Sequence, residues 1–139
     1  MSTPTASAKK PRPEFRNIHI TQILGYRLPM AGIVSILHRV SGVLLFLALP
    51  LLLWMFELSL TSELSYERLR GFAGSILVKL VLVALAWAFL HHLVAGIRFL
   101  VLDLHLGVDK QASASSARAV LGVSLLLAAA VALKIFGVF

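Results

Sequence analysis

Val40-Ser41-Gly42-Val43-Leu44-Leu45-Phe46-Leu47-Ala48-Leu49-Pro50-Leu51-Leu52-Leu53-Trp54-Met55-Phe56 runs without a charged side chain, directly after Ser35-Ile36-Leu37-His38-Arg39. Extended back to Met30, the run exceeds the roughly 20 apolar residues that a helix needs to cross a hydrocarbon core about 30 Å thick. At helical spacing Ser35, His38, Arg39 and Gly42 (i, i+3, i+4, i+7) share one face. Ionisable groups inside a membrane segment cost a few kcal/mol, so they usually face protein, water or a ligand. A polar stripe on an apolar helix predicts a site for a polar headgroup.

The composition fits a membrane protein. Of 139 residues, 59% are hydrophobic and 14% charged, against roughly a quarter charged in soluble domains, and mean hydropathy is +0.92. One small domain of this kind cannot surround a large cofactor or a transport path alone, so a partner is expected. The absence of cysteine excludes disulfides, thiolate-held iron–sulfur clusters and cysteine nucleophiles. The net charge of +7 would suggest nucleic acid only if it clustered on a folded, soluble face. Instead Lys9, Lys10, Arg12, Arg16 and Arg27 precede the first apolar run, and no nucleic-acid partner is expected.

The predicted fold is an all-α membrane protein of three transmembrane helices, at about 30–56, 76–102 and 119–138. An N-terminal segment, 1–29, precedes an anchor domain, 30–139. Pro50 removes one backbone hydrogen bond and is expected to kink the first span, and Lys134 can snorkel from the end of the third. The basic residues of the N-terminal segment, with Lys110 and Arg118 after the second span, outnumber Arg68 and Arg70 in the Glu57 to Gly74 connection. The positive-inside rule then predicts N-in, C-out. Met1 to Lys10, rich in Ser, Thr, Ala and Pro, is expected to be disordered and lacks the pattern of a signal peptide. Asn17 to Leu28 is expected to form a short interfacial helix, with His19 solvated. No internal repeat, phosphate-binding glycine loop or metal-carboxylate cluster is found.

The second span carries His91-His92. Adjacent helical residues point about 100° apart, so at most one of the pair ligates a given centre. His92 shares its face with Ala88, Gly96 and Asp103; small residues a turn either way allow a helix or a flat macrocycle to approach, and neutral imidazole is a normal axial haem ligand. His91, on the face of Ala84, Ala95, Arg98 and Leu102, is expected to hydrogen-bond across helices. Arg39 lies about 13 Å along the first span and His92 about 16 Å from the same membrane side, so the two polar features come at similar depth. By themselves these residues fit interhelical hydrogen bonds and snorkelling as well as they fit a ligand site. Asp103 and His105 read as interfacial, Trp54 as an interface-belt residue and Trp87 as packing.

Arg12-Pro13, the Ser35 to Gly42 octet, and His92 followed by Gly96-Ile97-Arg98 with Asp103 together resemble the cytochrome b membrane-anchor subunit of succinate dehydrogenase, respiratory complex II. The resemblance runs from about Arg12 to the end, and the octet is its most specific part. It implies half of a heterodimeric anchor bundle: a second three-helix anchor subunit, a haem b shared between the two, and docked iron–sulfur and flavoprotein subunits in a bacterial inner membrane. By resemblance His92 is the haem-iron axial ligand, His38 and Arg39 approach the haem propionates, and Ser35 and Arg39 line the ubiquinone pocket. Ser35 would donate a hydrogen bond to a quinone carbonyl and Arg39 would stabilise developing negative charge. Relatives often carry His where this chain has Phe99. The chain would be part of an enzyme without itself oxidising succinate. A structural or assembly protein would need no buried Ser-His-Arg stripe, and a transporter subunit would carry polar residues along a whole path.

Overall fold

The computed structural model describes Thr21 and residues 25–138. The expectations for Met1 to Lys10 and for His19 lie outside those residues, as does most of the expected interfacial helix. The described fold is all-helical: α1 (Met30–Thr61), α2 (Glu63–Ala73), α3 (Ile76–Asp103) and α4 (Lys110–Ile135). Three of them, α1, α3 and α4, are long and apolar enough to cross a membrane.

Each helix starts where the sequence supplies a partner for its free N–H groups or removes the need for one. Pro29 precedes α1, and α1 continues through Pro50 to Thr61; at 1.5 Å per residue it is about 48 Å long and overruns the hydrocarbon core. Ser62 and Ser65 cap α2 reciprocally, which turns a segment without an apolar run into a helix. The Ser75 side chain accepts from the Val78 N–H at α3. The Asp109 carboxylate accepts from Gln111 and Ala112 at 3.1 and 2.9 Å, so α4 begins nine positions before the apolar stretch that marks it by hydropathy. At the end of α3 the Leu106 N–H reaches back to the Val101 carbonyl and the His105 N–H to Leu102. His105 (φ 60°) takes the left-handed position that closes such a helix end.

Helix α3 is central, packed on α1 and on α4. Its inward face is Ala88, His91, Ala95 and Arg98, opposite Val34 and Ser41 on α1 and Ala117, Val120, Ser124 and Ala128 on α4. Small residues dominate because lipid tails are as apolar as a leucine core; close backbone approach and interhelical hydrogen bonds drive association instead. The tightest cluster, Val34, Ala95, Ala117 and Val120, lies near the start of α1 and the α3–α4 turn. This is also the end of the bundle that carries the polar stripe.

Candidate haem and quinone site

The octet Ser35 to Gly42 runs from the second turn of α1 into the fourth, facing the stretch of α3 that holds His92. The imidazoles of His38 and His92 stack with centroids 4.1 Å apart and planes 9° from parallel. His92 Nδ1 lies 3.0 Å from the His38 carbonyl oxygen and 3.2 Å from Ser41 Oγ, while the Ser41 hydroxyl donates to that same carbonyl at 2.9 Å. A carbonyl only accepts, so Nδ1 carries the proton, and in a neutral ring the lone pair is on Nε2. Among the described residues His92 Nε2 has no hydrogen-bond partner. An imidazole fixed through one nitrogen, with the other free, is how proteins present histidine to a metal.

Gly42 makes this placement possible. A Cβ there would lie 2.9 Å from His92 Cε1, closer than real contacts allow, so the ring rests where any side chain would stand. Gly96 is less tightly constrained, with His38 Nε2 3.5 Å from a virtual Cβ. Phe99 closes the other side of the cluster, its ring 5.1 Å from that of His38.

Of the residues singled out in the sequence, His38 and His92 are brought into contact. Ser35 is half-buried one turn before His38, and Arg39 is exposed, bordering a shallow apolar recess with Val40, Val43 and Leu44. Neither makes a hydrogen bond or ion pair among the described residues, so both are free to meet a ligand. Asp103 is exposed at the end of α3.

A profile of the succinate dehydrogenase/fumarate reductase transmembrane subunit family matches residues 9–131. The chain belongs to this family. It is 32% identical over 114 residues to the succinate dehydrogenase cytochrome b556 subunit of Paracoccus denitrificans, covering 82% of this chain and 87% of the relative. It is 36% identical over 102 residues to the Rickettsia felis protein of that name (73% and 79%), and 35% identical over 89 residues to that of Coxiella burnetii (63% and 69%).

In this family member the second histidine does different work. His91 is fully buried and its Nδ1 lies 3.3 Å from Ser124 Oγ on α4, the interhelical bond expected from its face. Trp87 packs against it, ring centroids 5.4 Å apart, and among the described residues the buried Trp87 Nε1 and His91 Nε2 have no hydrogen-bond partner. Arg98 also turns toward α4: its Nε donates to Ser116 Oγ at 2.9 Å, and one terminal nitrogen donates to the carbonyl and hydroxyl of Ser113 at 3.1 and 3.0 Å. Periodicity places Ser41, Phe99 and Ser124 on faces but names no partners for them. Ser41 falls within the octet and is the one most readily found, being a hydroxyl one turn from His38.

Proposed function

We propose that this chain is the cytochrome b anchor of a succinate:ubiquinone oxidoreductase, lying in a bacterial inner membrane with its N-terminus in the cytoplasm and its C-terminus outside. The observation that carries the reading is the His92 imidazole, tied through Nδ1 to the His38 carbonyl and Ser41 with Nε2 free. That donor chemistry fits haem b, whose iron His92 would hold through Nε2. The resemblance to the anchor family implies that the second ligand comes from a partner three-helix anchor subunit. When bound, haem b supplies a one-electron redox centre.

The remaining roles belong to side chains of this chain. The His38 carbonyl and Ser41 hold the His92 ring in one tautomer and one orientation. His38 and Arg39 offer cationic or donor groups to the propionates from the same turn of α1. Ser35 donates a hydrogen bond to a ubiquinone carbonyl, and Arg39 offsets the negative charge that develops on the quinone oxygens. Protons for quinol come from water and partner groups. Iron–sulfur and flavoprotein subunits dock on the cytoplasmic face and carry out succinate oxidation.

A reduced-minus-oxidised spectrum of membranes expressing the chain with its genomic neighbours tests the haem half; absence of a b-type band from an assembled complex refutes it. For the quinone half, Ser35→Ala and Arg39→Leu are compared in two assays. Quinone reduction should fall by tenfold or more, while succinate oxidation by an artificial soluble acceptor persists. Equal losses in both assays, with normal assembly, refute the quinone site.

A further inference from the structure

At the far end of α1 the fold builds a second recess. Ser65 on α2 donates to the Leu58 carbonyl at 2.6 Å, folding α2 back against the last turns of α1. Between the two helices lies a cleft of about 390 Å³ lined by Trp54, Leu58, Ser65, Arg68, Leu69 and Phe72. Its walls are almost wholly apolar side chains, with a guanidinium at the edge. It stands about 20 Å farther along α1 than Ser41, at 1.5 Å per residue, and is independent of the haem reading.

Arg68 stands on the apolar side of α2, among the residues that line the cleft. On the wheel of α2, Glu63, Glu67 and Arg70 share one face, and Arg70 is already paired with Glu67 at 3.5 Å. Arg68 projects from the opposite face with Ser65, Leu69 and Phe72, the face that lines the cleft. It is exposed and forms no ion pair among the described residues. A cation on the apolar side of α2, away from the acids of its own helix, is placed to meet an anion that carries hydrocarbon. Trp54 beside it is an amphipathic ring of the kind that sits at headgroup level. The 48 Å or so of α1 places these turns at or just beyond the edge of the hydrocarbon core.

From this juxtaposition we infer that the α1–α2 cleft binds an anionic phospholipid of the leaflet on that side, with an acyl chain between Trp54, Leu69 and Phe72 and the phosphate on Arg68.

The test is native mass spectrometry of the full chain with its co-purifying subunits, titrated with phosphatidylglycerol and with phosphatidylcholine of identical acyl chains. The wild type should retain one phosphatidylglycerol in preference to phosphatidylcholine. Arg68→Gln should weaken that adduct about fivefold, the share of one basic residue at an anionic surface, whereas Arg70→Gln should leave it unchanged. Phosphatidylglycerol with brominated chains should also quench a component of the fluorescence that Trp54→Phe removes. Unchanged affinity in Arg68→Gln, an equal loss in Arg70→Gln, or displacement of the phospholipid by ubiquinone overturns the assignment; the last would make the cleft a quinone-tail site.

Discussion

His92 is fastened to the backbone of the residue whose ring it stacks on: its Nδ1 lies 3.0 Å from the His38 carbonyl, and the two imidazoles are 4.1 Å apart. The tie is between helices α1 and α3, so the ring's orientation depends on how closely those helices pack. Local propensity within α3 has no part in it. The neighbouring His91, turned by about 100°, is enclosed by α4 and serves packing.

This division of labour predicts opposite phenotypes for the two alanine variants. His92→Ala should abolish or severely shift the b-type absorbance while the helices still assemble through their small-residue faces. His91→Ala should keep the absorbance but lose stability by roughly 2 to 4 kcal/mol, the usual cost of emptying a buried site of this size. Difference spectra and detergent unfolding of the same preparations read both quantities; equal spectra from the two variants would remove His92 from its role.

Gly42→Ala tests the geometry more finely, because it alters no polar group. The added Cβ would stand 2.9 Å from His92 Cε1, so either the ring swings off the His38 carbonyl or α1 and α3 separate by several tenths of an ångström. Both outcomes should shift the haem band and its midpoint potential, although alanine is the better helix former by about 1 kcal/mol. An unchanged spectrum and potential would mean that the ring is not held against α1 in the assembled protein.

Much of this was legible from residue order. The three long helices follow from uninterrupted apolar runs, and the separation of His91 from His92 follows from 3.6 residues per turn. Other features depend on contacts that periodicity does not encode. Helix α2 has a weak apolar signal and exists through the Ser62–Ser65 cap and the Ser65 bond to Leu58. The start of α4 at Lys110 is hidden because Gln111 to Ser116 is polar, yet these residues continue the helix and provide Ser113 and Ser116 to Arg98. The sequence stripe treats Ser35, His38, Arg39 and Gly42 as one face; in the fold His38 and Gly42 turn toward His92, whereas Arg39 stays exposed.

Arg98 supplies a third prediction. Its guanidinium crosses from α3 to three acceptors on α4, and it is almost completely buried. Arg98→Leu should destabilise the chain by about 2 kcal/mol, the scale of hydrogen bonds to a charged group, with little effect on the haem band because the group faces away from His92. Lysine should restore little, since an ammonium lacks the planar fork that reaches Ser113 and Ser116 together. Unfolding midpoints of the two variants check the claim, and a wild-type midpoint in Arg98→Leu would contradict it.

The final prediction concerns orientation and rests on charge. In the sequence Lys9, Lys10, Arg12, Arg16 and Arg27 precede the first span and Lys110 and Arg118 follow the second, against Arg68 and Arg70 in the connection between the first two spans and Lys79 and Lys134 near the helix ends on that side. Lys79 and Lys134 belong together, since Lys79 Nζ lies 5.7 Å from the ring of Phe136, which puts the start of α3 and the end of α4 at one level. The excess favours the first group inside. A reporter inserted between Gly107 and Val108, in the turn between α3 and α4, should therefore be active only if it works in the cytoplasm. One fused after Phe139 should be active only if it works outside. A cytoplasmic C-terminus would place Ser35, Arg39 and His92 nearest the outer face, too far from cytoplasmic subunits to receive their electrons, and the quinone-reductase reading would fail with it.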